Sequence, residues 1–147
     1  MDVLTDPWSQ IVGWDGHLEW GIVPLRLVLG YVLLYSGAKK FRDGISSTVA
    51  WMRGLGLPMP QLLARWTAGV EVVGGALVLV GLLTSWVAVP LAANMLGAAL
   101  TQKFLLHAPF SGGDVQGYEL DVLMVAGAVA LVFSGAGPLS FDALLAG

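Results

Sequence analysis

The sequence contains no cysteine, which excludes disulfides, CxxC redox pairs and thiolate metal sites from this chain. Any thiol chemistry would have to belong to a partner protein. Charged residues are also scarce, at 12% of the chain against about a quarter in soluble domains. With seven lysines and arginines and a net charge of −3, the chain offers no basic patch of the kind that binds nucleic acid.

Common catalytic and metal-binding motifs are missing as well. The sequence has no HExxH, GxGxxG, P-loop, nucleophile elbow or two-histidine metal spacing. It therefore predicts no metal site, and no catalytic machinery that would act on its own. The opening residues, MDVLTDPWSQ, have neither the basic nor the apolar region of a signal peptide, so none is expected.

Apolar residues dominate what is present, at 56% of the 147 residues and a mean hydropathy of +0.78. A water-soluble chain of this size could not bury so much apolar surface, so a lipid bilayer is the expected solvent. A helix needs about 20 mostly apolar residues to cross a bilayer, where every backbone polar group needs an internal partner. Four stretches are candidates, at about residues 22–38, 62–83, 85–106 and 120–136.

The connections and flanking residues predict how these stretches are arranged. Only Thr84-Ser85 separates the second from the third, which favours an antiparallel hairpin. Trp20, Trp66 and Trp86 each stand at a predicted helix start, as in the aromatic belts of membrane proteins. Basic residues gather on one side, which the positive-inside rule places in the cytoplasm, so that both termini are predicted on the other side. These residues are Lys39, Lys40, Arg42, Arg53, Arg65 and Lys103.

Two further segments are predicted to lie at the membrane surface. Residues 1–21 form an amphipathic segment with the helix-start signal Thr5-Asp6-Pro7. The sequence ISSTVAWMR, between the first two apolar stretches, predicts a short interfacial helix that Gly54 and Gly56 end. The predicted organisation is thus an N-terminal interfacial segment, 1–21, and an all-α transmembrane domain, 22–142, whose four helices form an antiparallel bundle.

One carboxylate, Glu71, interrupts the second apolar stretch. It lies about ten residues from either end, which is about 15 Å deep at the 1.5 Å rise of a helix. An acid at that depth costs about 2.5–3.5 kcal/mol and rarely faces lipid. Ala64, Ala68 and Gly75 share its helical face, and such small residues let a second helix come close. Glu71 is therefore predicted to point into the bundle, as the candidate catalytic residue.

Two side chains are candidate partners of Glu71. Asn94, in the third stretch, comes at almost the same depth and is the better direct partner. Arg26, near the outer end of the first stretch, would have to cross a depth difference of about 10 Å. Arg26 and Lys40 share a face with Gly30 and Gly37, and snorkelling to the interface is the alternative for both, favoured for Lys40.

A second polar cluster is predicted at the cytoplasmic end, as a wet pocket open at the membrane face. It would join Gln102 and His107 of the third stretch to Glu119 of the fourth. Lys39, Lys40, Lys103 and Asp121 complete it. Simpler alternatives exist: Glu119 and Asp121 would stabilise a helix N-terminus, and His107 would be a solvated histidine rather than a haem or chlorin ligand. Likewise, Glu71 could be a neutral, hydrogen-bonded pin between helices.

Five stretches resemble signatures of the DoxX family. RLVLGYVLLYSGAKKF (26–41) is similar to its opening signature, and GLGLPMP (54–60) to its loop. GVEVVGGALVLVGLLT (69–84) resembles its second helix, with the glutamate and the paired glycines. GYELDVLM (117–124) and GAGPLSFD (135–142) resemble the start of its fourth helix and its Ser-x-Asp ending. The motif positions are Arg26, Gly30, Gly37, Lys40, Glu71, Gly74, Gly75, Glu119 and Asp142.

The resemblance, which covers roughly residues 22–142, implies a four-helix protein of the bacterial inner membrane. It also implies quinone-coupled redox work, usually beside other membrane protein subunits. The long, tryptophan-rich N-terminal segment departs from the family pattern, as does Asp121, where an amide is often found. We expect membrane lipids as neighbours and no covalently bound cofactor.

Two functional hypotheses follow. In the first, the chain is a membrane redox module in which Glu71 exchanges a proton with a bound quinone, while a partner supplies the electrons. The quinone or ligand pocket would be lined by Arg26, Lys40, Asn94, Gln102, His107 and Glu119. In the second, the chain is a non-catalytic structural subunit of a larger bioenergetic or photosynthetic complex, with lipids or pigments on its helix faces. A small transporter or assembly factor is a third option.

Overall fold

A computed structural model describes residues 18–112 and 117–146, and within these ranges the chain is helical without strands. The helices are α1 (Leu18–Arg42), α2 (Ile45–Gly54), α3 (Pro60–Val80), α4 (Thr84–Leu100), α5 (Glu119–Ser134) and α6 (Phe141–Ala146). A π-helical turn, Thr101–Leu105, continues α4. The predicted N-terminal interfacial segment falls mostly on residues 1–17, which lie outside the described residues.

Three helices in the described ranges are long and apolar enough to cross a membrane. Their spans are Trp20–Arg42, Pro60–Val80 and Thr84–Leu105, which correspond to the first three predicted stretches. The fourth predicted stretch forms α5, whose 16 residues extend about 24 Å at the helical rise. The predicted all-α character is confirmed, and three of the four predicted stretches qualify as spanning helices by length and composition.

The first spanning helix extends further than its apolar residues indicate. The prediction ended it at Ala38, whereas α1 continues through Lys39 and Lys40 to Arg42. Lysine and arginine are good helix formers, and their positive charges interact favourably with the C-terminal end of a helix. The extension matters because it fixes the direction in which the Lys40 side chain points.

The connection between α3 and α4 also differs from the prediction. It is formed by Gly81-Leu82-Leu83, and Thr84-Ser85 already belong to α4. Gly81 ends α3 because it adopts a left-handed backbone with φ of 75°, which costs a glycine little. The two helices are therefore joined by a tight turn, as expected, but one that lies earlier in the sequence.

Glycines set how closely the helices pack, and α1 packs most extensively against α3. A Cβ atom placed on Gly75 would lie 2.5 Å from the backbone nitrogen of Leu34, and one on Gly30 would lie 2.8 Å from that of Leu79. Because both distances are shorter than van der Waals contact, only glycine allows the two backbones to approach this closely. This contact confirms the close approach predicted from the small faces of the two helices.

The core lies where the four long helices meet. Leu33 of α1, Val78 of α3, Leu91 of α4 and Leu131 of α5 are fully buried there. Large apolar side chains also cover the outside of the bundle, for example Phe133, which is 86% exposed. An exterior of this kind is expected where the surrounding medium is lipid rather than water.

Candidate functional site

Glu71 is buried between three helices and is paired with a lysine. The Nζ atom of Lys40 lies 2.5 Å from both carboxylate oxygens of Glu71. The side chain of Glu71 is 3% exposed, and that of Lys40 is 30% exposed. Asn94 of α4 donates from Nδ2 to Oε1 of Glu71 over 3.2 Å. The inward orientation of Glu71 and its contact with Asn94 are confirmed.

Lys40, rather than Arg26, supplies the positive charge, which the sequence did not predict. Gly37 lies opposite Glu71, since a Cβ on Gly37 would be 2.8 Å from the Cβ of Glu71. Lys40 follows by three residues, about 4.5 Å along the axis. Side chains tilt toward the N-terminus of their own helix, so Lys40 points back into the membrane while Glu71, on an antiparallel helix, points toward it. Snorkelling, the favoured alternative for Lys40, is therefore wrong.

A second buried carboxylate lies beside this pair. Nε2 of Gln102 donates to Oδ2 of Asp121 over 2.5 Å, and the charges of both Lys40 and Glu71 act on the Asp121 carboxylate. Gln102 stands in the π-helical turn, where the N–H of Leu106 bonds to the carbonyl of Thr101. Such turns redirect side chains and are frequent at functional sites.

We call Lys40, Glu71, Asn94, Gln102 and Asp121 the inner polar cluster. It contains two acids and one base, so a single bound proton would make it neutral. Because uncompensated charge is costly inside a membrane protein, the cluster is suited to hold and release a proton. Oε1 of Gln102 is buried and has no hydrogen-bond partner among the described residues, which leaves one acceptor for a donor from outside.

Three predicted site residues lie outside this cluster. Arg26 donates from Nη1 to the carbonyl of Ala136 and from Nη2 to that of Leu139, both over 2.6 Å, at the opposite end of the bundle. His107 and Glu119 are exposed at the surface. The predicted single pocket is thus divided: Lys40, Asn94 and Gln102 join Glu71, whereas Arg26, His107 and Glu119 do not.

The sequence favours Asp121 as a residue that stabilises a helix start, yet the structure buries it. The signal that could have identified it is helical periodicity, because Asp121, Met124, Ala128 and Leu131 share one face and all are buried in the structure. Glu119 lies two residues earlier and therefore turns outward. An acidic residue near the start of a helix can stabilise the helix N-terminus or belong to a buried site, and the residue type alone does not distinguish these roles.

At the other end of the bundle, Asp142 caps α4. Its carboxylate accepts from the N–H of Leu83 over 2.7 Å and from that of Thr84 over 3.0 Å, which satisfies donors that no residue within α4 can reach. Asp142 and Arg26 are close enough for their charges to interact. Arg26 and Asp142 therefore hold the segment after α5 against the turn between α3 and α4, which is a structural role.

Asp142→Ala should weaken that attachment. We expect a loss of about 0.5–2 kcal/mol in the free energy of unfolding, the usual cost of removing a capping side chain. Thermal unfolding in mild detergent measures the change. Asp43→Ala, at an exposed aspartate in the connection after α1, is the control and should be close to neutral. Equal stability of both variants would contradict the capping role.

Two surface cavities lie away from the inner polar cluster. A groove of about 490 Å³ runs between α3 and α4, with Trp66 and Trp86 among its lining residues. A second depression of about 680 Å³ lies beside Phe110, Glu119 and Leu123. Neither includes a residue of the cluster, in which Lys40, Asn94 and Gln102 are each partly exposed.

The chain is similar to known proteins over most of its length. The chain matches the DoxX family over residues 21–108, a range that contains Lys40, Glu71, Asn94 and Gln102. A Bacillus subtilis protein named "Putative oxidoreductase CatD" is 34% identical over 124 residues, 84% of this chain and 86% of that protein. An uncharacterized membrane protein of Mycobacterium tuberculosis is 33% identical over 142 residues, 92% of this chain and 86% of that protein. No solved structure matches the chain.

Proposed function

Because the chain belongs to the DoxX family of multi-pass membrane proteins, we propose that it is a subunit of a membrane oxidoreductase whose inner polar cluster exchanges protons with a quinone. The name of the B. subtilis relative gives the oxidoreductase class distant support. The observation that carries the proposal is the Lys40–Glu71 pair, a buried carboxylate that touches a lysine which is still 30% exposed. The chain would act beside other subunits, because its sequence indicates no redox centre.

The proposal includes a complete transmembrane arrangement. α5 would cross as a fourth helix, antiparallel to α4, and α2 would lie in the inner interface. Both termini would face away from the cytoplasm of a bacterial inner membrane, with residues 1–21 as a separate interfacial segment before the domain at 22–142. The basic residues near the inner ends of α1 and α3 support this orientation.

The residues of the cluster suit a quinone head group. Lys40 can donate a hydrogen bond to a carbonyl oxygen from its partly exposed position. Oε1 of Gln102, which lacks a partner among the described residues, can accept a bond from a hydroxyl group. A bound quinone would supply the redox chemistry, since its reduction consumes protons as well as electrons. Glu71 and Asp121 would hold those protons, and the electrons would come from a partner subunit.

A structural subunit is the competing function, favoured by one observation. Lys40 contacts both oxygens of Glu71, so the pair is already well paired without a ligand. In that case the charges would fix how α1 and α3 meet, a role that buried ion pairs have in some proteins. Lipids or pigments on the outer helix faces would then be bound by the assembly rather than turned over.

Glu71→Gln separates the two functions, since glutamine keeps the shape of the side chain but cannot exchange a proton. We expect quinone-linked turnover of native membranes to fall by about 100-fold, the lower range for loss of a general acid or base. Binding of a short-tailed quinone analogue to the purified protein provides a second measurement. Glu119→Gln, the same change at an exposed position, is the control and should leave both unchanged.

If the protein is a structural subunit, Glu71→Gln would leave turnover intact and the purified chain would not bind the analogue. Deletion of the chain would then remove the assembly rather than only its activity. Mass spectrometry of proteins and lipophilic molecules that co-purify in mild detergent would identify the complex.

A further inference from the structure

Two tyrosines occupy the middle of the exposed face of α1. Tyr31 lies at the midpoint of the span Trp20–Arg42, and Tyr35 follows one turn later. Their rings stack at a centroid distance of 6.3 Å and an interplanar angle of 23°. The side chains are 62% and 54% exposed, respectively. Their position is unusual, because tyrosine in membrane proteins is enriched at the interfaces rather than at mid-depth.

The two hydroxyl groups have no hydrogen-bond partner within the part of the chain that the structure describes. They point away from α3, since Gly30 and Gly37, which contact α3, lie on the opposite side of α1. Hydrocarbon offers neither donors nor acceptors, and a tyrosine hydroxyl that is removed from water usually finds a partner. A lipid chain over this face would leave both hydroxyls unsatisfied.

The exposed faces of the other long helices are different at comparable depth. Val73 on α3, Leu96 on α4 and Val129 on α5 are exposed there, and all are apolar. Lipid chains can cover those faces without leaving a hydrogen-bonding group unsatisfied. We call the face of α1 formed by Val28, Tyr31 and Tyr35 the tyrosine face. It is the part of the described bundle surface where a protein partner could bind hydroxyl groups that lipid chains would leave without partners.

We propose that the tyrosine face is the contact with a second copy of this chain. A twofold axis along the membrane normal places each tyrosine opposite its own copy at the same depth. A phenolic hydroxyl both donates and accepts, so two identical faces satisfy each other, as an isologous interface requires. Val28, Tyr31 and Tyr35 are uncharged, and Arg26 is buried on another side of α1. Lys39, exposed one turn after Tyr35 on the same side, lies near the end of the span, where its side chain can extend into the headgroup region.

The absence of cysteine makes a direct test simple. Val28→Cys introduces one thiol on the tyrosine face, where the native valine is 63% exposed. Val73→Cys is the matched control, since this valine is 59% exposed at a similar distance from the outer end of α3. The full-length protein is reconstituted in vesicles, diluted with lipid, and treated with an oxidant or a short bifunctional maleimide. We expect covalent dimers for Val28→Cys that persist on dilution, and few for Val73→Cys.

The hydroxyl groups are then removed in the Val28→Cys protein by Tyr31→Phe and Tyr35→Phe, which leave the rings in place. We expect self-association to weaken about tenfold, the factor that corresponds to about 1.4 kcal/mol and lies within the range for hydrogen bonds between membrane helices. Equal crosslinking at positions 28 and 73, or no change on removal of the hydroxyls, would overturn the proposal. So would crosslinking of position 28 to a different protein in native membranes when the purified chain stays monomeric.

Discussion

Lys40→Met is expected to lower the free energy of unfolding by about 3–5 kcal/mol, the cost of removing one member of a buried ion pair. The substitution keeps the length and the apolar part of the side chain but leaves the carboxylate of Glu71 without its counter-charge. Glu71 cannot escape to water, because it is only 3% exposed and lies near the middle of α3. Unfolding in mixed micelles titrated with a denaturing detergent provides the measurement.

The reverse substitution should cost less, which makes the prediction specific. In Glu71→Met the unpaired group is Lys40, which is partly exposed near the C-terminal end of α1 and can turn toward the headgroups. The double variant, Lys40→Met with Glu71→Met, should recover most of the stability, because an apolar pair of similar volume often replaces a buried ion pair at little cost. Additive losses in the double variant would show that the two residues are not coupled.

Gly75→Ala should destabilise the protein by about 3 kcal/mol, at the upper end of the usual cost of overpacking. The added methyl group would lie 2.5 Å from the backbone nitrogen of Leu34 and 3.0 Å from the carbonyl oxygen of Gly30. Neither atom can move away by a change of rotamer, so α1 and α3 must separate. Because the Lys40–Glu71 pair spans these same two helices, the proposed proton exchange predicts that quinone-linked turnover falls as well.

Gly69→Ala, in the same helix, provides the control. A Cβ at this position would meet nothing within 4 Å. Alanine is about 1 kcal/mol more favourable than glycine in a helix interior in water. The variant should therefore be as stable as the native protein or slightly more so. If both substitutions had the same effect in the detergent titration, the close contact between α1 and α3 would not be important for stability.

The inward orientation of Glu71 could be predicted from the sequence around it. The depth of Glu71 in an apolar run and the small residues on its face predicted its burial, and Asn94 was found because it lies at a matching depth. The sequence also predicted the short helix in the first connection, which forms as α2. Cost arguments of this kind work well in a membrane because an exposed charge at mid-depth is strongly unfavourable.

The partner of Glu71 depended on information that spacing along one helix does not contain. Comparing Cα depths alone placed Lys40 too far away. The structure shows that α1 extends beyond its apolar stretch, that Gly37 is level with Glu71, and that the two side chains tilt toward each other. Arg26 tilts in the same direction as Lys40, toward the N-terminal end of α1, but because it lies nearer that end the tilt carries it away from Glu71 and toward the carbonyl groups of Ala136 and Leu139. The relative register of two helices depends on how both of them pack, so it cannot be derived from residue spacing along one helix.

The attachment formed by Arg26 and Asp142 has a consequence for biosynthesis. Arg26 bonds to a carbonyl that is 113 residues later in the chain, and the N-terminus of α4 is capped by a side chain that follows it by 58 residues. During translation the ribosome delivers α1, α3 and α4 to the membrane well before either contact can form. Until the segment after α5 emerges, the guanidinium group and the first turn of α4 therefore lack the partners that they have in the folded protein, and this end of the bundle stays open.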